Sequence, residues 1–266
     1  MTKKLFYINN QMNPFASVSN LSNISVNVPL GLQEVGNDVR CLMPKYGFIS
    51  ERKYILREVI RLKEILFNFQ DKDYSCSAKS AFLPNSRLQV YFLENEDQFG
   101  HLNNLLFKSK NGRYLPDNDL RFSFYSLAAI KMLPNLFWFP DIIICNGWTS
   151  ALVPFLLKKL ASENKEYSKI KTIYLTSSLN KEVLFDYSNL PYNSGTLNEL
   201  KSLNLNQIGC SNADATIIID DEEKISTSLM KTKVFKSSRN CSVVNLKDDE
   251  KSIILLNEID KVSKKL

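Results

Sequence analysis

The sequence predicts an α/β protein with one doubly wound, mostly parallel sheet and a small β-meander insertion, and three observations carry that prediction. Residues 142–145 form an unbroken apolar run between Pro140 and Gly147, the pattern of a strand buried on both faces. The apolar positions 152, 153, 156, 157 and 160 that follow share one face of a helix. Near the N-terminus an apolar run at 4–8, a polar loop, a helix through Gly36 and an apolar stretch at 38–43 make one β-loop-α-β unit. Its expected crossover is parallel and right-handed.

Taken in order, residues 4–8 are the first strand. Serines and asparagines at 19, 20, 22 and 23 supply an N-cap for the first helix. Met43, Pro44, Lys45, Tyr46 and Gly47 read as the turn that closes the unit. Segments 62–69, 74–82 and 88–93 then show a period of two and predict the short strands of the meander. Residues 96–118 are a long loop, of the kind that is either functional or mobile. A helix follows over 119–133, capped by Asp117 or Asn118 and ended by Pro134. Thr149 or Ser150 is the expected cap of the helix after the central strand. Further strands are predicted at 171–176, 215–219 and 242–246, with helices near 196–203 and over 221–230. An amphipathic terminal helix spans 251–264. Its apolar side either packs on this sheet or covers a surface where another domain would sit.

The 266 residues are expected to form one domain, 1–266, and 44% hydrophobic with 23% charged residues is an ordinary globular balance. No segment approaches eighteen uncharged apolar residues, and no signal-peptide core is visible, so no membrane span is expected and a cytoplasmic location is. Five scattered cysteines without C-x-x-C spacing suit reduced thiols better than disulfides or a metal framework, and no metal site is expected. The net charge of +6 is spread rather than clustered, which argues against nucleic acid. The single histidine, His101, reads as a solvated loop residue.

Three stretches together resemble the N-terminal, starch synthase catalytic domain of bacterial glycogen synthases and plant starch synthases. They are Asn13-Pro14-Phe15-Ala16 through Met43-Pro44-Lys45-Tyr46-Gly47; Val90-Tyr91-Phe92-Leu93-Glu94-Asn95 with Asp117-Asn118 and Arg121-Phe122; and Pro140-Asp141-Ile142-Ile143 with Trp148 and Ala151-Leu152-Val153-Pro154. Asn212-Ala213-Asp214-Ala215 resembles a later segment. The resemblance covers roughly residues 4–230. It implies half of a GT-B fold, two Rossmann-like domains facing across a cleft. It also implies transfer of glucose from ADP-glucose, the donor substrate, to an α-1,4-glucan, with retention and without an essential metal or other cofactor. The C-terminal nucleotide-sugar domain of the family has no counterpart in these residues, which makes a separate chain supplying that half an expected partner, beside α-glucan.

Against that pattern the site is eroded. The family's Lys-x-Gly-Gly-Leu-x-Asp falls at Ser17-Val18-Ser19-Asn20-Leu21-Ser22-Asn23, and its His-Asp-Trp at Asn146-Gly147-Trp148. A later family histidine falls within Thr176-Ser177-Ser178. A pyrophosphate wants a cation, close-approach glycines and a helix N-terminus, and only the last remains. The candidate cleft residues are Ser17, Ser19, Asn20, Asp117, Asn118, Arg121, Asn146, Gly147 and Trp148, with no catalytic residue assigned. Each has a plainer use: loop and cap residues for Ser17, Ser19, Asn20, Asp117 and Asn118, an ion pair with Asp117 for Arg121, core filling for Trp148. Two function classes follow. One is a glycogen/starch synthase-like glycosyltransferase, weak or inactive alone. The other is a non-catalytic subunit that binds glucan or a partner.

Overall fold

The computed structural model describes residues 2–69, 72–102, 106–162, 164–177, 203–222, 224–231, 240–247, 249 and 252–266. Residues 196–202 of the helix predicted near 196–203 lie outside the described residues. The strands are β1 (Lys4–Ile8), β2 (Asp38–Pro44), β3 (Arg57–Glu58), β4 (Ile65–Phe69), β5 (Lys72–Phe82), β6 (Gln89–Glu94), β7 (Ile142–Asn146), β8 (Lys171–Thr176), β9 (Ala215–Ile219) and β10 (Cys241–Val244). They form one sheet in the order β10-β9-β8-β7-β1-β2-β6-β5-β3, with β4 paired to β5.

From β10 to β6 every neighbouring pair is parallel, and β5, β3 and β4 add an antiparallel corner. The sheet is the expected α/β frame with one revision. Residues 88–93 were expected to be the third strand of an inserted meander, yet β6 lies parallel to β2, Cys41 against Val90 and Met43 against Phe92. It belongs to the parallel core, and only β3–β5 are the addition.

Burial explains the central position of β7. All five of its residues are buried, as are Leu5, Phe6, Tyr7 and Ile8 of β1 beside it. A strand with apolar side chains on both faces is stable only between two neighbours and beneath two helix layers. The helices are α1 (Leu21–Glu34), α2 (Glu51–Tyr54), α3 (Asn118–Lys131), α4 (Leu133–Leu136), α5 (Val153–Leu160), α6 (Leu205–Asn212), α7 (Lys224–Met230) and α8 (Ile253–Ser263). Helix α1 packs on α8, and α3 packs on α5, which also meets α6. The terminal helix also touches β9 and β10 and buries Leu255 and Ile259, so it covers this sheet; Ile253 and Ile254 stay half exposed.

The predicted caps are corrected in two places, at α3 and α5, whereas the α1 cap falls among the residues expected. Asp117 stands at the N-cap of α3 but makes no cap hydrogen bond, because its carboxylate turns to Arg121. Neither Thr149 nor Ser150 caps α5: a single turn, Trp148–Ser150, intervenes, and the Ser150 hydroxyl donates back to the Gly147 carbonyl. At α1 the N-cap is Asn20 without a side-chain bond, and the Ser19 hydroxyl accepts the Leu21 N–H at 3.3 Å instead. The turn after β2 is held by close approach. A Cβ on Gly47 would lie 1.8 Å from the Gly100 carbonyl oxygen, so no larger residue fits there.

Candidate functional site

The chain leaves β1 for β2 on one side of the sheet, and β7 continues to β8 and β9 on the other. The β1/β7 boundary is therefore the point where strand order reverses, and a crevice opens outside the carboxyl ends of those strands. The first turn of α1, the turn after β7 and the end of β8 meet there around a pocket of about 160 Å³.

Its floor follows directly from β1. Asn10 and Gln11 are only 2% and 1% exposed, and both reach the pocket. The Gln11 Oε1 accepts the Val18 N–H at 3.2 Å and the Ser19 N–H at 3.1 Å. One side chain thereby holds the loop that precedes α1. The same loop is tied further by the Ser17 and Ser22 hydroxyls, 2.8 Å apart, and by the Ser22 Oγ donating to the Ser19 carbonyl at 2.8 Å. The amides that would meet an anion at this helix start are taken up within the loop.

One wall is aromatic. Trp148 is half-buried and meets Phe122, Phe107 and Tyr114 edge-on, with centroids 5.1, 5.4 and 6.0 Å away. Lys108 pairs its backbone with Tyr114 and lays its ammonium 4.7 Å from that ring. Among the described residues that line the pocket there is no carboxylate and no histidine.

Gly147 shapes the turn itself. Its φ of +83° with ψ of 170° belongs to backbone that side-chain-bearing residues avoid. Gly147→Ala is expected to lower stability by about 1–3 kcal/mol, read as a shift in the urea midpoint at unchanged slope.

Of the nine candidate residues, Ser19, Gly147 and Trp148 line this pocket. Ser17 sits in the loop behind it. Asn20 faces a separate groove of about 680 Å³ between α1 and the segment around Leu246. Asn146 lies under the pocket, 1% exposed, with its Nδ2 donating to the Ser25 Oγ at 3.1 Å. Asp117, Asn118 and Arg121 form a clamp behind the aromatic wall. The buried Arg121 guanidinium donates to the Gln98 carbonyl at 2.7 Å, to the Asn118 Oδ1 at 3.0 Å and to the Asp117 carboxylate. The Asn118 Nδ2 donates to the Phe107 carbonyl at 2.8 Å. Burial pulls the guanidinium below its ordinary value, and the Asp117 carboxylate opposes that.

Asn10, Gln11, Lys108 and Tyr114 were not singled out from the sequence. Gln11 lies three residues past the end of β1, and that position at a switch point was the available signal. Burial pushes the Cys76, Cys210 and Cys241 thiols up to about 12, and Cys41 and Cys145 higher still, so none is a ready thiolate. His101 is exposed. Among the described residues no group of His, Cys, Asp and Glu is arranged to hold a metal ion, and no helix is long and apolar enough to cross a membrane.

The family model described as the starch synthase catalytic domain matches residues 4–224. The chain belongs to that family. Within the starch synthase catalytic domain family, it is 34% identical over 184 residues to the glycogen synthase of Chlorobium limicola, covering 69% of this chain and 37% of that protein. It is 33% identical over 179 residues to the glycogen synthase of Pelodictyon phaeoclathratiforme, covering 67% and 36%. The chain thus spans little more than a third of the length of these curated relatives. Among solved structures it is similar to the catalytic domain of starch synthase IV from Arabidopsis thaliana bound to ADP and acarbose, with a TM-score of 0.76 at 18% identity over 92% of this chain and 52% of that one. At that identity the likeness shows the fold alone, the mostly parallel sheet described above.

Proposed function

We propose that this chain binds α-glucan as one Rossmann-like half of a glycogen/starch synthase-type glycosyltransferase, and that it does not transfer glucose from ADP-glucose by itself. The observation that carries this reading is the capture of the Val18 and Ser19 amides by the Gln11 Oε1. The loop that faces donor phosphates in the family is folded here onto a neutral side chain. The aromatic wall beside it remains available to a sugar. At about 160 Å³ the pocket falls below the ~300–1,000 Å³ typical of ligand sites and suits a single ring rather than a nucleotide sugar. A separate chain carrying the opposing nucleotide-sugar domain is the partner that would make transfer available, and no metal or other cofactor is invoked.

Maltoheptaose titration by calorimetry or by tryptophan fluorescence tests the glucan reading. Stacking on an aromatic face contributes about 1 kcal/mol beyond buried area, or roughly fivefold in affinity. Trp148→Ala is expected to weaken binding by at least that factor while the far-ultraviolet circular dichroism stays unchanged. No detectable binding by the parent chain, or equal binding by the variant, would remove the proposal.

A further inference from the structure

The polar groups around this pocket are unusually one-sided, and that asymmetry selects among sugars. Asn10 is 2% exposed, and its carboxamide has no hydrogen-bond partner among the described residues although it reaches the pocket. Gln11 is fixed by its two bonds to the loop amides, which settle which of its atoms is oxygen and leave the Nε2 as a donor on the pocket side. These are preformed carboxamides held in a buried floor, suited to sugar hydroxyls, which both donate and accept.

The charge on the wall is positive and unanswered. Lys108 makes no ion pair with any described residue; its ammonium rests on the Tyr114 ring. None of the described lining residues is a carboxylate, so none of them neutralises it. A neutral glucan end leaves that cation without a partner. A diphosphate is disfavoured because the loop amides it would need are occupied and the space holds one ring. A phosphate monoester meets both limits: it carries about −1.5 to −2 charges at neutral pH on one compact group, and lysine recognises phosphate as a point charge.

We infer that the pocket binds a glucosyl phosphate monoester, with Lys108 on the phosphate, Asn10 and Gln11 on the ring hydroxyls and Trp148 beside the ring. This rests on the reading of the crevice as a sugar site and names the kind of sugar it prefers. The same chemistry is offered by a free hexose phosphate and by a glucan bearing phosphate on a glucose unit.

The experiment is a set of titrations of the intact chain with glucose, glucose 1-phosphate, glucose 6-phosphate, inorganic phosphate, maltotriose and 6-phosphorylated maltotriose. At least one phosphorylated sugar is expected to bind tenfold or more tighter than its neutral counterpart, with the advantage shrinking as salt rises. Lys108→Gln should reduce that ratio to about twofold or less, and Lys108→Arg should keep most of it; the ratio reports charge recognition even where a variant weakens all ligands. Tighter binding of the phosphorylated maltotriose assigns the source to the polymer, and tighter binding of a hexose phosphate assigns it to a free metabolite. Either supports the inference. Equal affinity for neutral and phosphorylated sugars, a ratio unchanged in Lys108→Gln, or inorganic phosphate binding as tightly as the sugar phosphates would overturn it. The two readings fail separately. Maltotriose bound without a phosphate preference sinks only this inference, whereas phosphorylated sugar bound with no affinity for maltoheptaose sinks only the glucan reading.

Discussion

Asp117→Ala lowers the stability of this fold by about 3 kcal/mol, and the loss originates in the arginine it leaves behind. The Arg121 side chain is 1% exposed, and its partners among the described residues are the Gln98 carbonyl, the Asn118 Oδ1 and the Asp117 carboxylate. Only the last is charged. Breaking a buried pair by deleting one partner costs about 3–5 kcal/mol, because the surviving charge stays desolvated without compensation. The Asp117 side chain is itself 48% exposed, so water screens part of the attraction and the lower end of that range applies. For a chain of this size about 3 kcal/mol corresponds to a fall in Tm of roughly 6–12 °C. Arg121→Met removes the buried charge together with its hydrogen bonds, and the double variant should show non-additivity of about 1–3 kcal/mol with Asp117→Ala. A loss below about 1 kcal/mol in Asp117→Ala would show that the carboxylate is free for another purpose. The clamp also fixes the loop carrying Phe107, which meets Trp148. Weaker sugar binding in Asp117→Ala therefore has to be judged against its stability before any contact with ligand is assigned.

The parts of this molecule legible in the sequence are those where one local pattern has one physical cause. Residues 142–145 could be read as a central strand because burial on both faces demands an unbroken apolar run, and β7 has that burial at every position. Arg121 and Asp117 are four residues apart on one helix, so their pairing was legible too. Which use Asp117 would choose was not, since a cap and an ion pair draw on the same carboxylate. The sequence also placed β6 in an insertion. Its four apolar residues between Gln89 and Glu94 are the same kind of signal as β7, masked by the period-two segments before it.

The pocket was harder to read for a different reason. Trp148 and Gly147 lie on the strand-to-helix turn, where ligand sites of open sheets are expected. Lys108 and Tyr114 reach them from an irregular stretch some forty residues upstream, with no periodicity to mark the meeting. The role of Gln11 depends on how the loop at 17–19 curls back over it, and no spacing rule encodes that.

The capture by Gln11 sets the expectation for chemistry: the purified chain should incorporate labelled glucose from ADP-glucose into glycogen at least a hundredfold more slowly than a two-domain relative under the same conditions. Retaining transfer requires a departing diphosphate and an oxocarbenium-like sugar to be stabilised at once, by charges and donors already in place. Loss of one such donor costs about 10²–10³ in rate. By the resemblance Ser17 falls where a lysine is expected, and the neighbouring amides of Val18 and Ser19 are bound to the Gln11 Oε1. Asn146, where the resemblance leads one to expect a histidine, is buried under the pocket and bonded to Ser25, and it cannot take a proton. These losses fall within one site and do not multiply, so a single hundredfold bounds the effect more safely than their product. Gln11→Ala alone should leave the rate at background, because freed amides still lack a cation on the loop. Lys108 is on the opposite wall, stacked on Tyr114. Incorporation at rates close to the two-domain relative, abolished by Trp148→Ala, would show that the pocket catalyses transfer as it stands. Background rates from the chain alone, rising on addition of a chain that carries the opposing domain and falling again with Trp148→Ala, would locate acceptor binding here and donor activation in the partner.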